Sequence, residues 1–228
     1  MNRRIVISLI LVVLIPFTLM VWIRTHQSSG FAGLELIIYP LAFGSAGIFL
    51  MWLAKRFLLK EKLAQLNSGP GKWQTDIMWG LGLTLVYFIL FYVNRQILSD
   101  ILEFRSNQEL LGLMLDMRES WILLIVWFGP VLWIGIAFYE ELLRVFFLDG
   151  IWRLGKGPVW IAFGIVLAAA YMGFAHISQG PYGIVTIAIK SLVSGYFYYK
   201  IRRLFPLVLA HVLYDGIQVA LLLITYPA

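Results

Sequence analysis

The sequence predicts an all-α fold: a polytopic transmembrane helical bundle of about seven spans with its N-terminus cytoplasmic. Three observations lead there. The 228 residues are 61% hydrophobic and only 13% charged, with a mean hydropathy of +0.85, far too apolar for a water-soluble domain of this size. Seven apolar runs approach the ~20 residues that a helix needs to cross a bilayer core. Lysine and arginine also alternate from loop to loop, concentrated on one side.

The runs lie at 5–23, 34–53, 76–93, 121–148, 159–177, 182–199 and 206–226. They are too long and too evenly apolar for barrel strands, so helices must satisfy their backbone groups in lipid. The first follows two arginines, as in a signal peptide, but outlasts a secretory core and lacks a small-x-small cleavage site, so it is expected to be a retained span. The stretch "KRFLLKEKLAQLNSGPGKW" reads as a cytoplasmic helix ending at the "NSGPG" turn. In "SDILEFRSNQELLGLMLDMRES", the spacing of Ile101, Phe104, Leu111 and Met114 predicts an amphipathic helix on the outer surface.

One set of loops carries twelve basic residues: Arg3, Arg4, Lys55, Arg56, Lys60, Lys62, Lys72, Arg153, Lys156, Lys200, Arg202 and Arg203. The other set carries four, Arg24, Arg95, Arg105 and Arg118, mixed with acids. The formal charge of +6 is thus a signature of topology, with the lipid bilayer as partner, and not of nucleic-acid binding. Cysteine is absent, which excludes disulfides and thiolate–metal sites.

With the spans placed, the ionisable residues at membrane depth are Glu140, Glu141, Arg144, Lys190, His176, His211 and Asp215. Each costs ~2.5–3.5 kcal/mol to insert unless paired, so together they mark a functional site or a structural ion-pair network. On a helix, Arg144 lies about 40° from Glu140 and about 60° from Glu141, within reach of either. His211 and Asp215, four residues apart, share a face. A carboxylate in apolar surroundings can act as a general base on water, and an imidazole can share that water or donate to an oxyanion. Two histidines and a carboxylate, Glu140 with His176 and His211, are equally a ligand set for a divalent metal such as zinc. Lys190 is expected to pair with a buried carboxylate, or else to meet a substrate carboxylate.

The motifs "EELLR", "MGFAHISQG" and "HVLYD", in this order on separate runs, resemble those of the CPBP intramembrane protease family, also called CAAX protease 2 or abi-type. The resemblance covers about 121–216. No second domain is evident, so 1–228 is expected to form a single membrane domain, with peripheral N-terminal spans and a surface helix in 1–120; the resemblance implies a catalytic core in 121–228. It further implies an intramembrane endopeptidase, usually labelled a metalloprotease, in the cytoplasmic membrane of a bacterium. Its substrate would be a membrane-associated protein or peptide, prenylated and CAAX-like or bacteriocin-like. Glu140 would be the base, working with His176 on water. His211 and Asp215 would stabilise the oxyanion, and Glu141 with Arg144 would support the site. A non-catalytic scaffold or bacteriocin-immunity-type protein of the same fold is the alternative; an ion-coupled transporter would need an inverted repeat, and none is evident.

Three departures from the family pattern matter. The arginine comes one residue early, leaving open which glutamate is the base. Met172 stands at an aromatic position. Asp215 replaces the commoner asparagine and, when ionised, can only accept hydrogen bonds. Depth raises a further condition. Glu140 lies ~15 Å from the inner end of its run, whereas His176 lies ~27 Å from Pro158, so the fifth run must tilt, start deeper or stop short for the site to assemble.

Overall fold

The computed structural model describes residues 2–26, 36–106 and 108–226, with all of their side chains except those of Arg24 and Glu109. Residues 34 and 35, at the start of the second expected run, lie outside the described residues. Eight helices carry the fold: α1 (Asn2–Ile23), α2 (Ile38–Leu59), α3 (Trp73–Leu98), α4 (Gln108–Asp116), α5 (Trp121–Trp152), α6 (Pro158–Phe174), α7 (Gly180–Ile201) and α8 (Phe205–Thr225).

The expected count of about seven spans requires correction. Among the described residues, five helices (α1, α2, α3, α5 and α8) are long and apolar enough to cross a membrane alone. α6 has only 17 residues, and it qualifies only together with the α7 segment across a 61° break, which raises the count to six at most. A Cβ placed on Gly173 of α6 would meet Ala188 of α7, and one placed on Gly195 of α7 would meet Ile165 of α6. The second limb therefore folds back along the first as a hairpin, with His176 at its tip. Hydropathy registers the length of an apolar run but not its direction, so the two limbs read as independent spans.

α5 is the longest helix and it is not straight. From Trp127 to Phe138 its backbone widens into a π-helical stretch, interrupted by Gly129 (φ −89°, ψ −109°) just before Pro130. Proline lacks an N–H and disfavours a helical predecessor, so the break falls where the sequence demands it. Beyond the break, α2 crosses α5 in backbone contact: a Cβ on Gly44 would sit 2.6 Å from the Gly135 carbonyl oxygen. From Glu141 to Leu148, α5 is buried without interruption, enclosed by its neighbours.

Two other expectations are revised. The segment after α2 is not one helix. α2 ends at Leu59, Lys60 adopts a left-handed conformation (φ 58°), and a short 3₁₀ turn follows at Leu63–Asn67. The surface helix is confined to α4, whereas Ile101 and Phe104 lie in the turn and coil that precede it. That coil has a definite task. The Arg105 N–H donates to the Gln179 carbonyl (3.0 Å) and the Tyr182 N–H to the Glu103 carbonyl (3.1 Å), strapping residues 103–105 across the hairpin tip.

At the basic end, the 60–72 linker is stitched onto the helices. Lys55 pairs with Glu61 (2.9 Å) and Asp149 (2.8 Å), and Arg153 also reaches both carboxylates. The Tyr198 hydroxyl donates to the Leu66 carbonyl, the Leu204 N–H to Asn67, and Arg203 pairs with Asp76. Large apolar side chains such as Trp22, Leu85, Tyr92 and Ile224 remain exposed around the helices, the surface expected to face lipid.

Candidate active site

The sequence places Glu140, Glu141 and Arg144 on the turn where α5 emerges from its π-helical stretch, and His211 and Asp215 one turn apart on α8. The structure brings these two turns together. His211 Nδ1 lies 2.8 Å from Glu141 Oε1, and its Nε2 lies 3.1 Å from Asp215 Oδ2 and 4.0 Å from Glu140 Oε2. One imidazole thus bridges three carboxylates.

The two glutamates are not equivalent. Glu141 is fully buried, and both of its oxygens are engaged: Oε1 by His211 and Oε2 by Arg144, which selects this partner and not Glu140. Arg144, 1% exposed, donates its Nε–H to the Ser191 hydroxyl (3.0 Å). The side chains of Glu140 and Asp215 retain 25% and 28% of their exposure, so the open edge of the cluster belongs to them. Adjacent residues on one helix separate into an inward, charge-neutralised support and an outward carboxylate.

His176 sits at the hairpin tip, beyond the last residue of α6, in a non-helical conformation (φ −103°, ψ 24°). Its Nδ1 lies 2.8 Å from the Met172 carbonyl oxygen, which can only accept, so Nδ1 carries the proton and a neutral ring has its lone pair on Nε2. The ring lies within electrostatic reach of Asp215, and Glu140 is within such reach of Tyr171, one turn back on α6. α6 ends at Phe174, so His176 stands beyond its C-terminal end. Lys190, from α7, lies 3.9 Å from Asp215 Oδ1.

Sequence reasoning passed over Ser191 and Tyr87. Ser191 follows Lys190 directly and could have been read as part of its polar face; Tyr87, on α3, gave no signal. Ser194 bonds Tyr87 (2.6 Å) and donates to the Lys190 carbonyl (2.9 Å).

Glu140, His176 and His211 do not come together as a ligand set. Among the described residues, no three His, Asp or Glu side chains are grouped to hold a metal ion. Both ring nitrogens of His211 also face carboxylate oxygens, an arrangement that favours N–H donation over a lone pair for a metal. The residues as placed do not fit the metal.

Within a helical membrane protein, a partly open carboxylate thus lies beside a carboxylate-bound imidazole. In comparison with known families, residues 121–217 match the model for the type II CAAX prenyl endopeptidase Rce1-like family. Over these residues the chain is similar to the type II CAAX prenyl endopeptidases, and its apolar helices are those of a membrane protein. No curated protein and no solved structure gives a match.

Proposed function

We propose that the protein is an intramembrane endopeptidase that hydrolyses a peptide bond of a membrane-associated protein or peptide, with a prenylated CAAX-like chain as the substrate class. The observation that carries this reading is the division of labour in the cluster. Glu141 is consumed by Arg144 and His211, while Glu140 is partly open and 4.0 Å from the His211 ring.

In this reading Glu140 takes a proton from water, and the resulting hydroxide adds to the substrate carbonyl. His176, its Nδ1–H anchored on Met172, accepts from the same water through Nε2 and aims it. The developing oxyanion takes the hydrogen bond of His211 Nε2–H in place of Asp215 Oδ2, which accepts it in the resting protein. Asp215 cannot itself donate, and instead keeps that N–H protonated and directed. The C–N bond then breaks, and the proton held by Glu140 passes to the leaving amine. The twelve-residue basic end faces the cytoplasm, which places the N-terminus there as well.

The test uses detergent-purified protein and an internally quenched peptide with a farnesylated cysteine four residues from its C-terminus. Glu140→Gln should lower kcat about 10²–10⁴-fold, the usual worth of a general base. Exhaustive chelation should leave the wild-type rate unchanged. Full activity in Glu140→Gln would refute the assignment, and loss on chelation that zinc restores would refute the metal-free mechanism.

A further inference from the structure

Lys190 is a lysine at membrane depth, 7% exposed, on α7 rather than on either helix that carries the carboxylate cluster. Its surroundings are specific. The ammonium lies over the Tyr214 ring (4.6 Å) and the Tyr87 ring (5.6 Å), and 3.9 Å from Asp215 Oδ1. Ser194 donates to the Lys190 carbonyl (2.9 Å), which leaves Tyr87 to donate to Ser194 (2.6 Å), so the second ring is itself fixed to the backbone of Lys190. The two oxygens of Asp215 are divided between partners: Oδ1 faces Lys190 and Oδ2 faces His211.

We infer that Lys190 is a positioning residue. It holds Asp215 by one oxygen within a cage formed by Tyr87 and Tyr214, so that the other oxygen stays aimed at His211 Nε2–H. The enclosure decides against a direct substrate contact, because two rings and a carboxylate already surround the ammonium. Without it, Asp215 would be free to rotate away from His211, and a third carboxylate beside Glu140 and Glu141 would lose its counter-charge. The inference rests on the proposed role of His211 as oxyanion donor.

The test combines kinetics with spectroscopy. Lys190→Met should lower kcat roughly tenfold while KM stays within about twofold, a coupling expected of residues in one network. In an Asp215→Asn background the same substitution should cost nothing further. A purely structural lysine would give additive losses. The chain has three histidines, so ¹⁵N-histidine labelling yields a small set of ring signals. Lys190→Met should move those of His211 and leave those of His26 in place, while Lys200→Met should move neither.

An unchanged kcat with unmoved His211 signals overturns the inference, as do additive losses. So does a rise in KM for peptides with a free C-terminal carboxylate but not for their amides, since that would mark a substrate contact. The two levels fail separately. If Glu140→Gln abolishes cleavage while Lys190→Met changes nothing, only the inference falls. If Glu140→Gln is fully active, the proposed function falls, and the ring signals still decide whether Lys190 holds Asp215 against His211.

Discussion

Glu141 and Arg144 show why a charged side chain can be tolerated where it is expensive. Both are essentially removed from solvent, and each has its polar atoms engaged by the other, His211 or Ser191. Among the described residues, no buried side-chain nitrogen or oxygen lacks a partner. Removing one member of such a pair leaves an uncompensated charge, which costs about 3–5 kcal/mol. Glu141→Ala and Arg144→Ala are therefore expected to lower the thermal unfolding midpoint in detergent sharply, whereas Glu140→Gln, at the open edge, should leave it nearly unchanged. A Glu140→Gln protein as unstable as Glu141→Ala would show that the two carboxylates are not divided as described. The sequence could place Arg144 within reach of both glutamates; it could not choose between them, because that choice depends on His211 arriving from α8.

The hairpin formed by α6 and α7 was the element least legible beforehand. Its limbs have the composition of spans, and nothing in "SQGPYG" states that the second limb packs back along the first. Gly180 is a residue there whose identity the backbone conformation dictates. Its φ of 75° with ψ of −175° suits glycine alone, and an added Cβ would lie 2.8 Å from the Glu103 carbonyl oxygen. Gly180→Ala should cost about 1–3 kcal/mol and loosen the 103–105 strap, lowering kcat through displacement of His176. Hydrogen exchange would check this directly: the amides of Arg105 and Tyr182 should exchange faster in the variant, and unaltered protection would contradict the account. The broken linker after α2 was hidden for a similar reason, since "KRFLLKEKLAQL" has helical composition throughout and only Lys60 (φ 58°) marks the stop.

Taken together, the helices arrange a carboxylate–imidazole cluster well away from a basic end that is tied by its own ion pairs. There, burial pushes the Glu61 carboxyl up, but hydrogen bonds and charge from Arg153 and Lys55 outweigh this and hold it below its ordinary value of 4.5. A carboxylate depressed in the folded state contributes stability above that ordinary value and loses it as pH falls through the folded pKa. Thermal stability should thus decline below about pH 4.5, and Glu61→Gln should flatten that decline; an identical pH profile in the variant would remove Glu61 as a cause.

Orientation can be read without engineering out native thiols, because the chain has no cysteine. A single cysteine at Lys156 should be labelled only from the cytoplasmic side and one at Ser106 only from the opposite side; the reverse pattern would invert the topology. The apolar runs made the membrane class readable from sequence, and the three motifs made the family likeness of 121–217 readable. The count of crossings and the division of roles depended on how separate helices meet.

What matters most is whether Glu140 on α5 and His176 at the hairpin tip act on the same water. A kinetic double-mutant cycle, with Glu140→Gln, His176→Ala and their combination assayed on the farnesylated peptide, measures this. Groups acting as one unit are non-additive, so the double variant should be no slower than the slower single variant. Losses that multiply, or a His176→Ala protein with the wild-type kcat, would mean that the two side chains do not share a reaction centre.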